Sequence, residues 1–189
     1  MERRINDAIA PAEAAPTPHY PGPPTPSEAE PVIVTPLRPA FIPQVQALVE
    51  LGAPFIAART PSDYWLYATL FSSTCPIALN DGEIAGAVIA FRSQDNPTEI
   101  YVQDVMTHPE HRQKGIARAL LNAVRARAVE WDCERLYLTS EPDNTAAHAT
   151  WTALGFTNVP GDHDINGISL ITDFKGPGKT RAVYEHVIK

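Results

Sequence analysis

The stretch from Val105 to Arg118 constrains the fold more than any other part of the chain. An apolar strand end runs into a short loop, His108-Pro109-Glu110-His111, and a single glycine, Gly115, then opens a long amphipathic helix. Such a layout places a helix N-terminus at the end of a strand. The first N–H groups there have no carbonyl partner, and the aligned peptide dipoles leave partial positive charge, so the turn accepts an anion. Gly115 permits close backbone approach and an unusual φ, and Arg112, Lys114 and Arg118 surround Gln113, Ile116 and Ala117 with positive charge. With one glycine, the turn is neither a Walker loop nor a Gly-x-Gly-x-x-Gly fingerprint. Its expected ligand is a pyrophosphate.

The flanking segments support the cradle. Ile116, Leu120, Val124 and Ala128 recur at helical spacing, so one face is buried and Arg118, Arg125 and Arg127 point outward. Upstream, 99–106 alternates as a half-buried strand. Downstream, 135–140 reads as a short strand. A further helix follows, capped by Asp143 or Asn144 and ended by Gly155.

Arg112-x-x-Gly115-x-Ala117 resembles the Arg/Gln-x-x-Gly-x-Gly/Ala signature of the GNAT superfamily of acetyltransferases. Asn144, Ala147, Gly155 and Phe156 match the spacing of that superfamily's second block. The resemblance implies an α+β, GNAT-like fold with a mixed, mostly antiparallel central sheet flanked by helices. It also implies acetyl-CoA as co-substrate: Val105 and Met106 would bind pantetheine and thioester through their backbone, residues 112–118 the pyrophosphate, and Asn144, Ala147 and Trp151 would line the same channel. One position departs from the pattern. Trp151 stands where most relatives carry a tyrosine that protonates the departing thiolate, and an indole N–H has no useful acidity at neutral pH.

Transfer to an amine also needs a base. Asp104 is the leading candidate because it sits beside the thioester strand, with Glu99 and Glu141 as alternatives. His108, His111 and His148 are further imidazole candidates but lie in the cradle loop or on the later helix. A narrower resemblance, through Tyr64-x-x-Tyr67, Phe71-x-x-Thr74-Cys75, Gly86 and 139–144, points to the diaminobutyrate acetyltransferases of ectoine synthesis. It implies a small diamino acid as acceptor, with Tyr64 and Tyr67 forming a substrate wall. Acetylation of a protein N-terminus or lysine is an alternative, and a non-catalytic acyl-CoA sensor, motivated by Trp151, is another.

Composition limits the rest. A chain of 189 residues with 44% hydrophobic content supports one globular domain, placed at 32–189. A formal net charge of −7 argues against a nucleic-acid binder. Cys75 and Cys133 form no metal or redox spacing, so no metal is expected and a reduced compartment is the default. No apolar run approaches a membrane span, which makes cytoplasm the expected location. Folds of this kind often pair, so a homodimer is the expected assembly. Residues 1–31, rich in Pro, Ala and Glu, read as a disordered tail.

The remaining elements follow from local signals. Val32 to Val34 reads as a strand, and Val45, Leu48, Val49 and Leu51 as the apolar face of a first helix. Ser62 or Asp63 would cap a second helix through Phe71, and 76–91 forms a hairpin about Asp81-Gly82. Two last strands are expected, at 168–172 and 182–188, around Gly-Pro-Gly at 176–178.

Overall fold

The computed structural model describes residues 32–188, and the expected tail at 1–31 lies outside them. Strand β1 (Ile33–Pro36) leads into helices α1 (Ile42–Glu50) and α2 (Pro61–Leu70). Strands β2 (Pro76–Asn80), β3 (Glu83–Arg92) and β4 (Glu99–Thr107) follow, then α3 (Ile116–Glu130), β5 (Arg135–Ser140) and α4 (Thr145–Ala153). The chain closes through β6 (Thr157–Asn158), β7 (His163–Ile165), β8 (Ile168–Leu170) and β9 (Ala182–Val187). Seven strands form one sheet in the order β1-β2-β3-β4-β5-β9-β6, antiparallel throughout except for the β4–β5 pair. This is the α+β, mostly antiparallel sheet that the resemblance implies.

Both faces of the sheet are covered, which is why β3 is buried at seven successive positions and does not alternate in polarity. Ala85, Val88 and Ala90 of β3 join a core with Ile116, Leu120, Val124 and Ala128 of α3. Ile84, Ala87 and Ile89 face a second core with Val45, Leu48 and Val49 of α1 and Tyr64 and Ala68 of α2. Gly86 sits where the first of these layers closes. A Cβ there would lie 2.6 Å from Ile116 Cγ2 and 3.0 Å from the Met106 carbonyl oxygen, so the missing side chain sets how closely α3 approaches β3 and β4.

Several local expectations are corrected. The N-cap of α2 is Thr60: its hydroxyl accepts from the Asp63 N–H at 3.3 Å while Asp63 accepts from the Thr60 N–H at 3.0 Å, a reciprocal capping box. Ser62 and Asp63 therefore lie inside the helix. Leu51 is 49% exposed because α1 ends at Glu50 and the chain turns away. The strand expected at 168–172 ends at Leu170 and pairs with β7 in a separate hairpin, with Ile171 reaching Arg181 through a single bridge. The turn at Asp81-Gly82 is as expected, with φ of +53° and +80°. No helix among the described residues is long and apolar enough to cross a membrane.

Candidate active site

Strands β4 and β5 pair only from Glu99–Arg135 to Val102–Leu138 and then diverge. A bulge causes the parting. Along β3, Ile89 pairs with Asp104 and Ala90 with Val102, which leaves Gln103 as an extra residue that bends β4. The parting strands open a cleft of about 1090 Å³, lined by 103–107 of β4 and by Thr139 and Ser140 of β5.

Cradle residues occupy one end of this cleft. Arg112, Gln113, Gly115, Ile116, Ala117 and Arg118 line it, as do Val105, Met106, Asn144, Ala147 and Trp151. Gly115 is the N-cap of α3 at φ +77°, and a Cβ built there meets nothing within 4 Å, so it would project into open space at the helix mouth. Gln113 is also left-handed, at φ +63°. The first backbone bond of α3 runs from the Ala119 N–H to the Gly115 carbonyl at 3.0 Å. The N–H groups of 116–118 thus precede the helical ladder, the donor set a pyrophosphate needs. Lys114 does not line the cleft: its amine lies 3.4 Å from His111 Nδ1 on the exposed side of the turn. Arg118 reaches across to donate to the Ala153 carbonyl at 3.0 Å, tying the cradle to the end of α4. Asn144 caps α4 by accepting from the Ala147 N–H at 3.1 Å, so its role in shaping the channel runs through the helix start.

Toward the α1/α2 face lies Asp104, whose side chain is 9% exposed and accepts from Arg59 Nη1 at 2.5 Å. Burial pushes its carboxyl above the ordinary carboxylate range, while Arg59, Gln103 and Lys175 pull the other way. Burial lowers the Arg59 pKa, but the attraction of Asp104 outweighs it and the net displacement is upward. Tyr64 and Tyr67 lie beside this pair without lining the cleft. Tyr64 is fully buried in the α1/α2 core, and its ring meets that of Tyr67 edge-on at 5.6 Å. Both phenols are pushed up in pKa by burial. They form a wall behind Arg59 and do not reach the cleft surface.

The two alternative carboxylates are placed differently. Glu99 is at the closed end of the β4–β5 pair and is held by Arg135, whose Nη2 lies 2.6 Å away. It is outside the cleft. Glu141 does line the cleft, but Arg181 grips it at 2.7 Å. His148 is buried, with Nδ1 2.6 Å from the Tyr184 hydroxyl and Nε2 3.4 Å from the Pro142 carbonyl oxygen, so it fastens α4 to β9.

Three contributors escaped the sequence reading. Arg59, Lys175 and Arg181 all line the cleft from segments far apart in the chain. Lys175 hydrogen-bonds the Tyr101 hydroxyl and lies 5.0 Å over the Tyr101 ring centroid. Only Arg59 had a local signal, since it directly precedes the Thr60-Pro61 helix start and so has a fixed exit direction.

Residues 45–156 match the family model described as acetyltransferase (GNAT) family. L-2,4-diaminobutyric acid acetyltransferase from Chromohalobacter salexigens is 35% identical over 85 residues, 44% of each chain. The protein of the same name from Marinococcus halophilus is 35% identical over 94 residues, covering 48% of this chain and 53% of that one. The chain thus spans about half the length of these curated relatives. Among solved structures, the Paenibacillus lautus diaminobutyrate acetyltransferase in complex with L-2,4-diaminobutyric acid and coenzyme A superposes with a TM-score of 0.67 at 22% identity. The match covers 83% of this chain and 94% of that one. Ard1 from Thermoplasma volcanium gives a TM-score of 0.67 at 14% identity, covering 84% and 98%. The superpositions establish the shared fold, and the family model, which matches more than half of the sequence, establishes that this chain belongs to the GNAT acetyltransferase family.

Proposed function

We propose that this protein is an acetyl-CoA-dependent N-acetyltransferase whose acceptor is a primary amine of a small diamino acid. The observation that carries the reading is the division of one cleft: anion-binding turn and open β4 backbone at one end, buried Arg59–Asp104 pair at the other. The residues fit acetyl-CoA. Pyrophosphate would rest on the N–H groups of 116–118 beside Arg112, and pantetheine would run along Val105 and Met106, whose neighbours on β5 have moved away. Acetyl-CoA supplies the activated acetyl group.

Asp104 is the group proposed to take the acceptor's proton. Its raised pKa makes it a better base than an exposed aspartate, while the Arg59 guanidinium favours its ionised form. Arg59 and Lys175 would offer charge to an acceptor carboxylate on the same side of the cleft. Diaminobutyrate is the proposed acceptor because several curated relatives carry that activity in their names over the matched half. The cytoplasm is the proposed location, since the spacing of Cys75 and Cys133 is neither a metal-binding nor a redox motif. A homodimer is proposed with it and is checked by sedimentation of the full chain.

Isothermal titration with acetyl-CoA, followed by thiol-release assays against 2,4-diaminobutyrate and a peptide panel, tests the function. Binding with thiol release on diaminobutyrate is expected. Release on peptides alone would move the acceptor to a protein, and binding without any release would favour a sensor.

A further inference from the structure

The proposed transfer puts negative charge on sulfur, and Trp151 occupies the position where the family pattern places a tyrosine. The structure gives this indole another partner. Its Nε1–H donates to Ser140 Oγ at 2.7 Å. An indole nitrogen cannot accept in return, so Ser140 enters the bond only as acceptor and its own proton is left over. Among the described residues this is the only hydrogen bond of the Ser140 side chain, although the residue is just 6% exposed. A buried hydroxyl proton without an acceptor is costly, which makes it a strong donor toward any anion that arrives.

Its location supplies that anion. Ser140 is two residues beyond Leu138, the last β5 position paired with β4, and it lines the cleft beside Trp151. The β4 backbone proposed to carry the thioester lines the same opening. Ser140 does not need to give up its proton, because an alcohol is a far weaker acid than a thiol. A held O–H directed at a charge that develops during reaction stabilises it without reorganisation.

Resting on the acetyl-CoA reading above, we infer that Ser140, positioned by Trp151, hydrogen-bonds the CoA sulfur as it leaves. The acceptor nitrogen forms a C–N bond to the acetyl carbon, the C–S bond breaks, and its electron pair stays on sulfur. Nitrogen loses one proton through Asp104 to water, and sulfur gains one from water on release. Ser140 is then a catalytic residue and Trp151 a positioning residue.

The test titrates the thiol of bound CoA by its thiolate ultraviolet absorbance, alongside kcat and KM for acetyl-CoA, in wild type, Ser140→Ala, Ser140→Thr and Trp151→Phe. Wild type should depress the bound thiol's pKa below that of free CoA, and Ser140→Ala should return it upward. In the alanine variant kcat should fall about 10- to 100-fold, the range for a hydrogen bond to a charged group, with KM little changed. Ser140→Thr keeps the hydroxyl and should retain both properties, and Trp151→Phe should fall between. An unchanged thiol titration in Ser140→Ala, or an equal loss in Ser140→Thr, overturns the inference while leaving acetyl transfer intact. Failure of wild type to bind CoA at all overturns the cleft assignment and this inference with it.

Discussion

Asp104 is caught between two influences, and the balance decides how the proposed base behaves with pH. Burial raises its pKa and Arg59 lowers it, with burial the stronger. Because the ionised form is the base, activity should fall as pH drops through this raised value, earlier than for an exposed aspartate. The sign for stability is opposite: a carboxyl that is easier to protonate when folded gains stability as pH falls through its folded pKa. Asp104→Asn should reduce kcat by about 100- to 10,000-fold, remove that acid limb, and leave acetyl-CoA affinity unchanged. Steady-state pH profiles and titration calorimetry check all three. At Gly115 the constraint is backbone shape together with open space. Gly115→Asp forces a side chain into φ +77° and sets a carboxylate at the mouth of α3. Loss of CoA binding is expected, with a stability cost of about 1 kcal/mol from the conformation alone; unaltered affinity would refute the cradle.

Among elements, the joint of β3, β4 and α3 has the largest consequence for the cleft. A methyl group at Gly86 would press on Ile116, the first residue of α3, and on the Met106 carbonyl of the opened strand. Gly86→Ala should therefore destabilise the fold by about 1–3 kcal/mol, as overpacking does. It should also weaken CoA binding at the same time, because both elements that hold the cofactor move. Chemical denaturation paired with calorimetry measures the two effects in one variant. This joint also marks the limit of what the chain could tell in advance. The cradle was legible because a strand, Gly115 and the 116–128 periodicity are contiguous, and the capping of α4 by Asn144 is a three-residue contact. The bulge at Gln103 that opens β4 from β5 has no signature within β4, since it is defined by pairing with β3. Arg59, Lys175 and Arg181 come from turns whose paths are set by tertiary packing, so no periodicity points to them. Glu99 and Glu141 stood as alternatives to Asp104, and since all three face an arginine, placement separates them: Glu99 lies outside the cleft, Glu141 lines it half exposed, and Asp104 lines it buried.

For the molecule as a whole, one sheet separates two cores, with α3 over one face and α1 and α2 over the other. Strand β3 feeds side chains into both, so the donor end and the acceptor end of the cleft share a structural element and should unfold together. Among the described residues, the two cores draw on elements from β1 to β9. Among the described residues, the cleft is lined from Leu51 to Arg181. Residues 1–31 are rich in Pro, Ala and Glu, and from that composition alone we propose that they contribute neither to the core nor to the site. The full chain and a version lacking 1–31 should each unfold in a single transition. Acetyl-CoA at 100 times its dissociation constant should stabilise both by the same amount, about 2.7 kcal/mol from mass action. Denaturant unfolding with and without acetyl-CoA makes the comparison: a smaller gain in the shortened chain would place part of 1–31 against the bound cofactor, and a second transition in either would show that the two cores are not coupled through β3.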